Sequence, residues 1–256
     1  MKIVFHERYY DSTYAMDPAA ASGRLEGIVE LLSQNKDFEF ISPQIATKED
    51  ILRAHSKRHY DNIKRDSILF ELASLAAGGA IKASEIAYNK EPTFAIIRPP
   101  GHHASTDSCW GFCYFNNISI SLLKLFSEKK INSAFVLDFD LHTGDGNLNI
   151  LSHRSDGFRV EILNPDSNTN KDYLSRVERY MENLNDIDIF VASAGFDQGV
   201  DDWGGLLEPE DYHTLGILMK KFSKKLCDGR RYALLEGGYN HDVLPINVNS
   251  FCQGFK

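Results

Sequence analysis

The stretch Ala134-Phe135-Val136-Leu137-Asp138-Phe139-Asp140-Leu141-His142-Thr143-Gly144-Asp145-Gly146 decides how the chain is read. Its first four residues are a continuous apolar run, as expected of a strand buried on both faces. Three aspartates, a histidine and two glycines follow within nine residues. In extended backbone alternate side chains share a face, so Asp138, Asp140 and His142 point the same way. Carboxylates and an imidazole converging at a strand end fit a metal site. A solvated Asp–Gly turn accounts for the same residues, and this stretch alone leaves both readings open.

Similar apolar runs occur at 94–97 (FAII), 189–192 (IFVA) and 232–235 (YALL), with helical spacing at 116–127, 171–184 and 208–226. Short runs alternating with helices predict an α/β fold with a mostly parallel central sheet flanked by helices. Upstream, the pattern predicts a strand near Lys2, a helix over 24–32 and a short helix capped by Thr47 that ends near His55. A long helix follows over 67–88, with Gly78-Gly79 inside it allowing close approach of a neighbour. Residues 158–163 offer a further strand. Without repeats, low-complexity tracts or linkers, residues 1–256 read as a single domain.

Each of the four runs ends in a polar segment carrying glycine. Arg98-Pro99-Pro100-Gly101-His102-His103 follows the first, and the opening aspartates follow the second. Ser193-Ala194-Gly195-Phe196-Asp197 and Glu236-Gly237-Gly238-Tyr239 follow the others. In open α/β sheets ligands bind beyond the carboxyl ends of the strands, so these segments should meet at one site.

Bulk properties narrow the function classes. With 43% hydrophobic residues the chain can bury a large core. No stretch approaches the ~20 apolar residues of a membrane span, and the charged start lacks a signal peptide's apolar centre. Cys109, Cys113, Cys227 and Cys252 form no CxxC pair, which suits a reducing cytoplasm. The net charge of −8 is spread without basic clusters, which speaks against direct nucleic-acid binding.

At the strand ends, Asp140, His142 and Asp197 would hold one divalent ion and leave a position for water or substrate. Asp197 as a mere helix cap is the plain alternative. His102 and His103 would handle protons, each backed by a carboxylate, and Asp138 and Asp145 are the spare ones. A hydrogen-bonded structural pair is the alternative there. Tyr239, after the turn Gly237-Gly238, would donate to a developing oxyanion, unless it is an ordinary half-buried tyrosine. Gly111-Phe112 would supply an apolar wall, unless Phe112 is core. His6, His55, His59, His153, His213 and His241 show no metal spacing.

The segments RPPGHHA (98–104), GFCYFNN (111–117), DFDLHTGDG (138–146), SAGFDQGVDD (193–202) and EGGYN (236–240) together resemble the histone deacetylase family, which includes acetylpolyamine amidohydrolases. The resemblance implies a single-domain, arginase-like three-layer α/β fold and zinc-dependent hydrolysis of N-acetyl amides on small-molecule or peptide substrates. It implies Asp140, His142 and Asp197 as zinc ligands, with His102 and His103 as tandem base and acid backed by Asp138 and Asp145. Tyr239 would polarise the acetyl carbonyl, Gly111, Phe112 and Gly238 would line the substrate path, and Arg24 would lie by the acetate exit. A potassium ion near Asp138–His142 is a further implication.

The chain departs from the family pattern at several points. Thr143 replaces a second histidine, and the family's aromatic Pro-Gly loop is replaced by Asn164–Asn170, which predicts a more open pocket. Glu161 falls near a cation-binding position. The carboxylate that grips substrate has only Asp61 and Asp66 as candidates. A binuclear, arginase-type hydrolase using Asp201 or Asp202, and a non-catalytic acyl-amine binding module, are the alternatives. Oligomeric state is not legible.

Overall fold

The structure, a computed structural model, describes residues 1–152 and 154–256; His153 lies outside the described residues. The strands are β1 (Lys2–Val4), β2 (Glu39–Ile41), β3 (Thr93–Ala95), β4 (Ser133–Asp138), β5 (Arg159–Leu163), β6 (Phe190–Ala194) and β7 (Arg231–Leu235). The α-helices are α1 (Glu26–Ser33), α2 (Lys48–Leu52), α3 (Lys57–Ile63), α4 (Ser67–Tyr88), α5 (Asn117–Ser127), α6 (Asp145–Leu151), α7 (Asn170–Glu182), α8 (Pro209–Cys227) and α9 (Leu244–Phe255).

One parallel sheet runs β2-β1-β3-β7-β6-β4-β5. Parallel strands need crossovers, and helices on both faces explain why β3, β4, β6 and β7 are buried at every residue. The edge strands β2 and β5 are only partly buried. Because the central strands are parallel and adjacent, their carboxyl ends deliver residues 98–103, 138–146, 195–197 and 236–239 to one edge of the sheet.

Close backbone contact fixes two helices. A Cβ on Gly78 would lie 1.8 Å from the Gln44 carbonyl, so α4 can seat against that segment only with glycine there. Gly216 and Gly254 do the same for α8 against α9: a Cβ on Gly254 would lie 2.1 Å from the His213 carbonyl.

Several elements differ from the sequence reading. β3 stops at Ala95, while Ile96 and Ile97 remain buried beyond it. α2 ends at Leu52, and α3, α6, α9 and β2 are additional elements. α4 also overturns the expectation that no segment has the length and apolarity of a membrane span. It has 22 residues, and an 18-residue window of it reaches a mean hydropathy of 1.2, but 67% of that window is buried within the fold. Its apolarity serves the protein core, where a helix covered on several sides is apolar nearly all round.

Candidate metal centre and active site

Asp140 and His142 lie just past the end of β4, and Asp197 lies past the end of β6. His142 Nδ1 is 3.1 Å from Asp140 Oδ1 and 3.2 Å from Asp197 Oδ2. Ligands ~2.0–2.1 Å from a tetrahedral ion stand about 3.3 Å apart. The two sides at His142 match that spacing, and the three ligand atoms all lie within 4.8 Å of one another, close enough to share one ion. Backbone amides steady both carboxylates: Gly237 N donates to Asp140 Oδ2 and Leu141 N to Asp197 Oδ1. Asp197 Oδ2 is buried without a hydrogen-bond partner, an oxygen left for a ligand.

The charge balance leads to the same conclusion. The hydrogen bond to Asp140, and then the Asp197 carboxylate beside the ring, push the His142 imidazole up to about 10. Burial, and then the neighbouring charge of Asp140, pushes Asp197 up to about 6. Burial alone would also raise Asp140, but His102, His142 and the Gly237 amide hold it below the usual carboxylate range. Two carboxylates gathered on one imidazole favour added positive charge, which a divalent cation can supply.

The histidine pair reaches the site on the turn after β3. Glu236, buried at the end of β7, accepts from Gly101 N at 2.6 Å and His102 N at 3.2 Å, and so anchors that turn. Burial raises the Glu236 carboxyl to about 7. His102 Nδ1 is 3.3 Å from Asp138 Oδ2, and His103 Nδ1 is 2.6 Å from Asp145 Oδ1. With each Nδ1–H donated to a carboxylate, the Nε2 atoms are left to handle protons. The rings stand 4.0 Å apart, yet their titrations diverge. Burial opposes charge on His102, but Asp140 and Asp138 outweigh it and push its pKa well up. Burial and the His102 charge push His103 down. Separation of neighbouring titrations is how one group holds a proton while the other accepts one.

Tyr239 follows Gly238, whose φ of +113° suits glycine. Asp202 Oδ2 accepts from Tyr239 N at 2.7 Å and Asn240 N at 2.8 Å, fixing the start of that segment. Burial raises the phenol further above its ordinary value, so it keeps its proton. Arg24, fully buried, donates to the Gly238 and Glu236 carbonyls and lies 5.5 Å from the Tyr239 ring centre. Gly111 and Phe112 both have positive φ, and a Cβ on Gly111 would lie 2.4 Å from His103 Cδ2. That left-handed turn sets the Phe112 ring edge-on to Tyr239.

A histone deacetylase domain model matches residues 66–162 and 147–255. The chain belongs to the histone deacetylase family. A probable deacetylase of Archaeoglobus fulgidus is 29% identical over 291 aligned residues, which cover 93% of this chain and 81% of that protein. A probable deacetylase of Methanothermobacter thermautotrophicus is 31% identical over 62% of this chain and 53% of its own length. The crystal structure of the HDA15 HD domain matches with a TM-score of 0.84 at 20% identity, covering 99% of this chain and 88% of that one. At that identity the match supports the shared α/β fold, a parallel sheet with helices on both faces.

The histone deacetylase departures can be located as well. Thr143 is exposed on the turn after His142, and its carbonyl accepts from Asp145 N. Glu161 accepts from Tyr180, away from the ligand triangle. Asp61 pairs with Lys57 on α3, and Asp66 caps α4, so both are occupied elsewhere. Asp202 Oδ2 holds the Tyr239 segment through two backbone amides. Sequence reasoning missed Glu236, Trp110 and Trp203 and considered Asp202 only as a second-ion ligand; all four lie inside or beside quoted motifs, and their roles depend on partners distant in sequence.

Proposed function

We propose that the chain is a zinc-dependent deacetylase that hydrolyses an N-acetyl, or short acyl, amide of a lysine or amine to a carboxylate and a free amine. One observation carries this reading: the Asp140–His142–Asp197 triangle, with its unpaired buried oxygen, lies beside two carboxylate-backed histidines. Asp140, His142 and Asp197 would hold the ion. When bound there, zinc supplies Lewis-acid polarisation of the acyl carbonyl and acidifies a water.

The protein's own groups account for the remaining steps. His103, held below its usual pKa and fixed by Asp145, accepts the proton of the attacking water at Nε2. His102, fixed by Asp138, is the histidine that favours the charged form and stabilises the negative charge that builds up beside it. The departing amine takes its proton from the pair. Tyr239 keeps its phenolic proton and donates it as a hydrogen bond to the developing oxyanion. Phe112, with Gly111 and Gly238, borders the acyl-amine chain, and Arg24 lies on the side assigned to acetate release.

The implied potassium site has one unpaired buried oxygen, Asp138 Oδ1, but the Asp138 carbonyl already accepts from Asn164 Nδ2. We assign that ion no step. One shared sheet and core support a single catalytic unit, and four free thiols suit the cytoplasm.

The test is acetate release from acetyl-lysine peptides, acetylpolyamines and short acetylated amines by protein loaded with defined metal. Turnover at about one ion per chain supports the reading. A requirement for two manganese ions, with urea released from a guanidinium substrate, would replace it with the arginase type.

A further inference from the structure

The two histidines of the pair are not held alike. Asp138, which backs His102, is fully buried, and Asn147 Nδ2 donates to the same carboxylate oxygen at 3.1 Å. Packing fixes that carboxylate. Asp145, which backs His103, stands at the start of α6 with its side chain 48% exposed. A carboxylate in water trades its hydrogen bonds with solvent and changes rotamer readily, so a lone bond to Asp145 would aim the His103 ring poorly. The pair needs a second restraint.

Trp110 touches both of its members. The indole N–H donates to Asp145 Oδ2 at 2.9 Å, while His103 Nδ1 donates to Asp145 Oδ1 at 2.6 Å. The carboxylate is therefore held at both oxygens and cannot turn without losing a charge-assisted bond. The indole ring also lies against the His103 ring, with centres 3.9 Å apart and planes 32° apart. His103 is left only 3% exposed, although Trp110 itself is 55% exposed. The turn that presents the indole is tight. Cys113 N donates to the Trp110 carbonyl at 3.0 Å, and Gly111 and Phe112 between them have positive φ.

We propose that Trp110 is a positioning residue for proton transfer by His103. Its N–H fixes the Asp145 carboxylate on His103 Nδ1, and its ring holds the imidazole against rotation. It thus does for Asp145 what burial does for Asp138. Once His103 has taken the proton of the attacking water at Nε2, the indole face also stabilises the positive charge on the imidazolium. That charge is absent before reaction, so the contribution falls on kcat rather than on KM. The role in proton transfer rests on the deacetylase reading; the hold on Asp145 does not.

Steady-state kinetics test the role, with zinc-loaded protein on whichever acetyl-lysine peptide, acetylpolyamine or short acetylated amine it turns over best. Trp110→Phe keeps a ring face but loses the donor, and should lower kcat about 10-fold. Trp110→Leu loses both and should lower it about 10²-fold. KM should stay within about 3-fold in each variant. In an Asp145→Ala background Trp110→Phe should cost less than about 2-fold, since the donor no longer has its acceptor. A rise in KM at unchanged kcat, or full additivity with Asp145→Ala, would overturn the proposal. A second readout needs no turnover. The chain's other tryptophan, Trp203, stacks on Tyr239 with ring centres 4.1 Å apart, so the protein has two indole N–H resonances. Trp110→Phe identifies the Trp110 signal by removing it. Asp145→Ala should shift that signal towards that of an indole in water and speed its exchange with solvent, leaving Trp203 unchanged. A Trp110 signal that does not move would overturn the proposal. Absence of acetate release from the unmodified protein would instead remove the deacetylase reading, and the indole signal alone would then decide whether Trp110 holds Asp145.

Discussion

At the scale of single residues, the account rests on where protons and charge are held. Tyr239→Phe removes one hydrogen-bond donor without altering shape. It should leave folding and metal content intact and lower kcat by ~10²–10³; an unchanged rate would remove the phenol from the mechanism. Asp197→Asn replaces an anionic ligand with a neutral amide. The variant should fold but bind zinc far more weakly, as calorimetric titration would show. Gly111→Ala tests positioning, because the added methyl meets His103 and the backbone there is left-handed. A displacement of His103 by about 1 Å should cost about 10²-fold in kcat, with the far-UV spectrum unchanged.

At the scale of elements, the strand ends act together through backbone hydrogen bonds. Glu236 of the β7 end holds the histidine turn after β3, and Gly237 holds Asp140 after β4. Asp202, from the loop after β6, holds the segment after β7. Asp202→Ala should therefore lower kcat by about 10-fold or more through loss of a charged hydrogen-bond acceptor, with zinc affinity nearly unchanged. The central strands were legible because continuous apolar runs ending in His, Asp and Gly are distinctive. α9 was not, since LPINVNSFCQGF mixes proline, asparagine and branched residues, and its helix depends on glycine-mediated contact with α8. β2 is a three-residue edge strand with little pattern to detect. Trp203 looked like a loop residue because its partner, Tyr239, is 36 positions away.

At the scale of the whole molecule, buried charge links pH to stability. His55 is buried with Nδ1 directed at the Ser105 carbonyl and Nε2 accepting from Asn116 N, so it is neutral in the fold. Burial, and then the neighbouring His59, holds it down to about 3. The unfolded chain binds a proton near pH ~6.5, so between these values it binds more protons than the fold. Stability should fall as pH drops through that window, by up to about 1.4 kcal/mol per unit from this residue. His55→Gln should flatten the slope in urea titrations at pH 7, 6 and 5, even if it lowers stability throughout. Zinc acts on the fold in the opposite direction: at 100-fold above its Kd it should stabilise the native state by about 2.7 kcal/mol, an increment absent from Asp197→Asn.

The most direct test of the central claim is acetate release per chain, measured alongside metal content, for the unmodified protein and for Asp197→Asn. The account predicts turnover of an acetylated amine at about one zinc per chain and loss of both ion and turnover in the variant. A protein holding one zinc at Asp140, His142 and Asp197 that releases acetate from none of the acetyl-lysine, acetylpolyamine or short acetylamine substrates would contradict it.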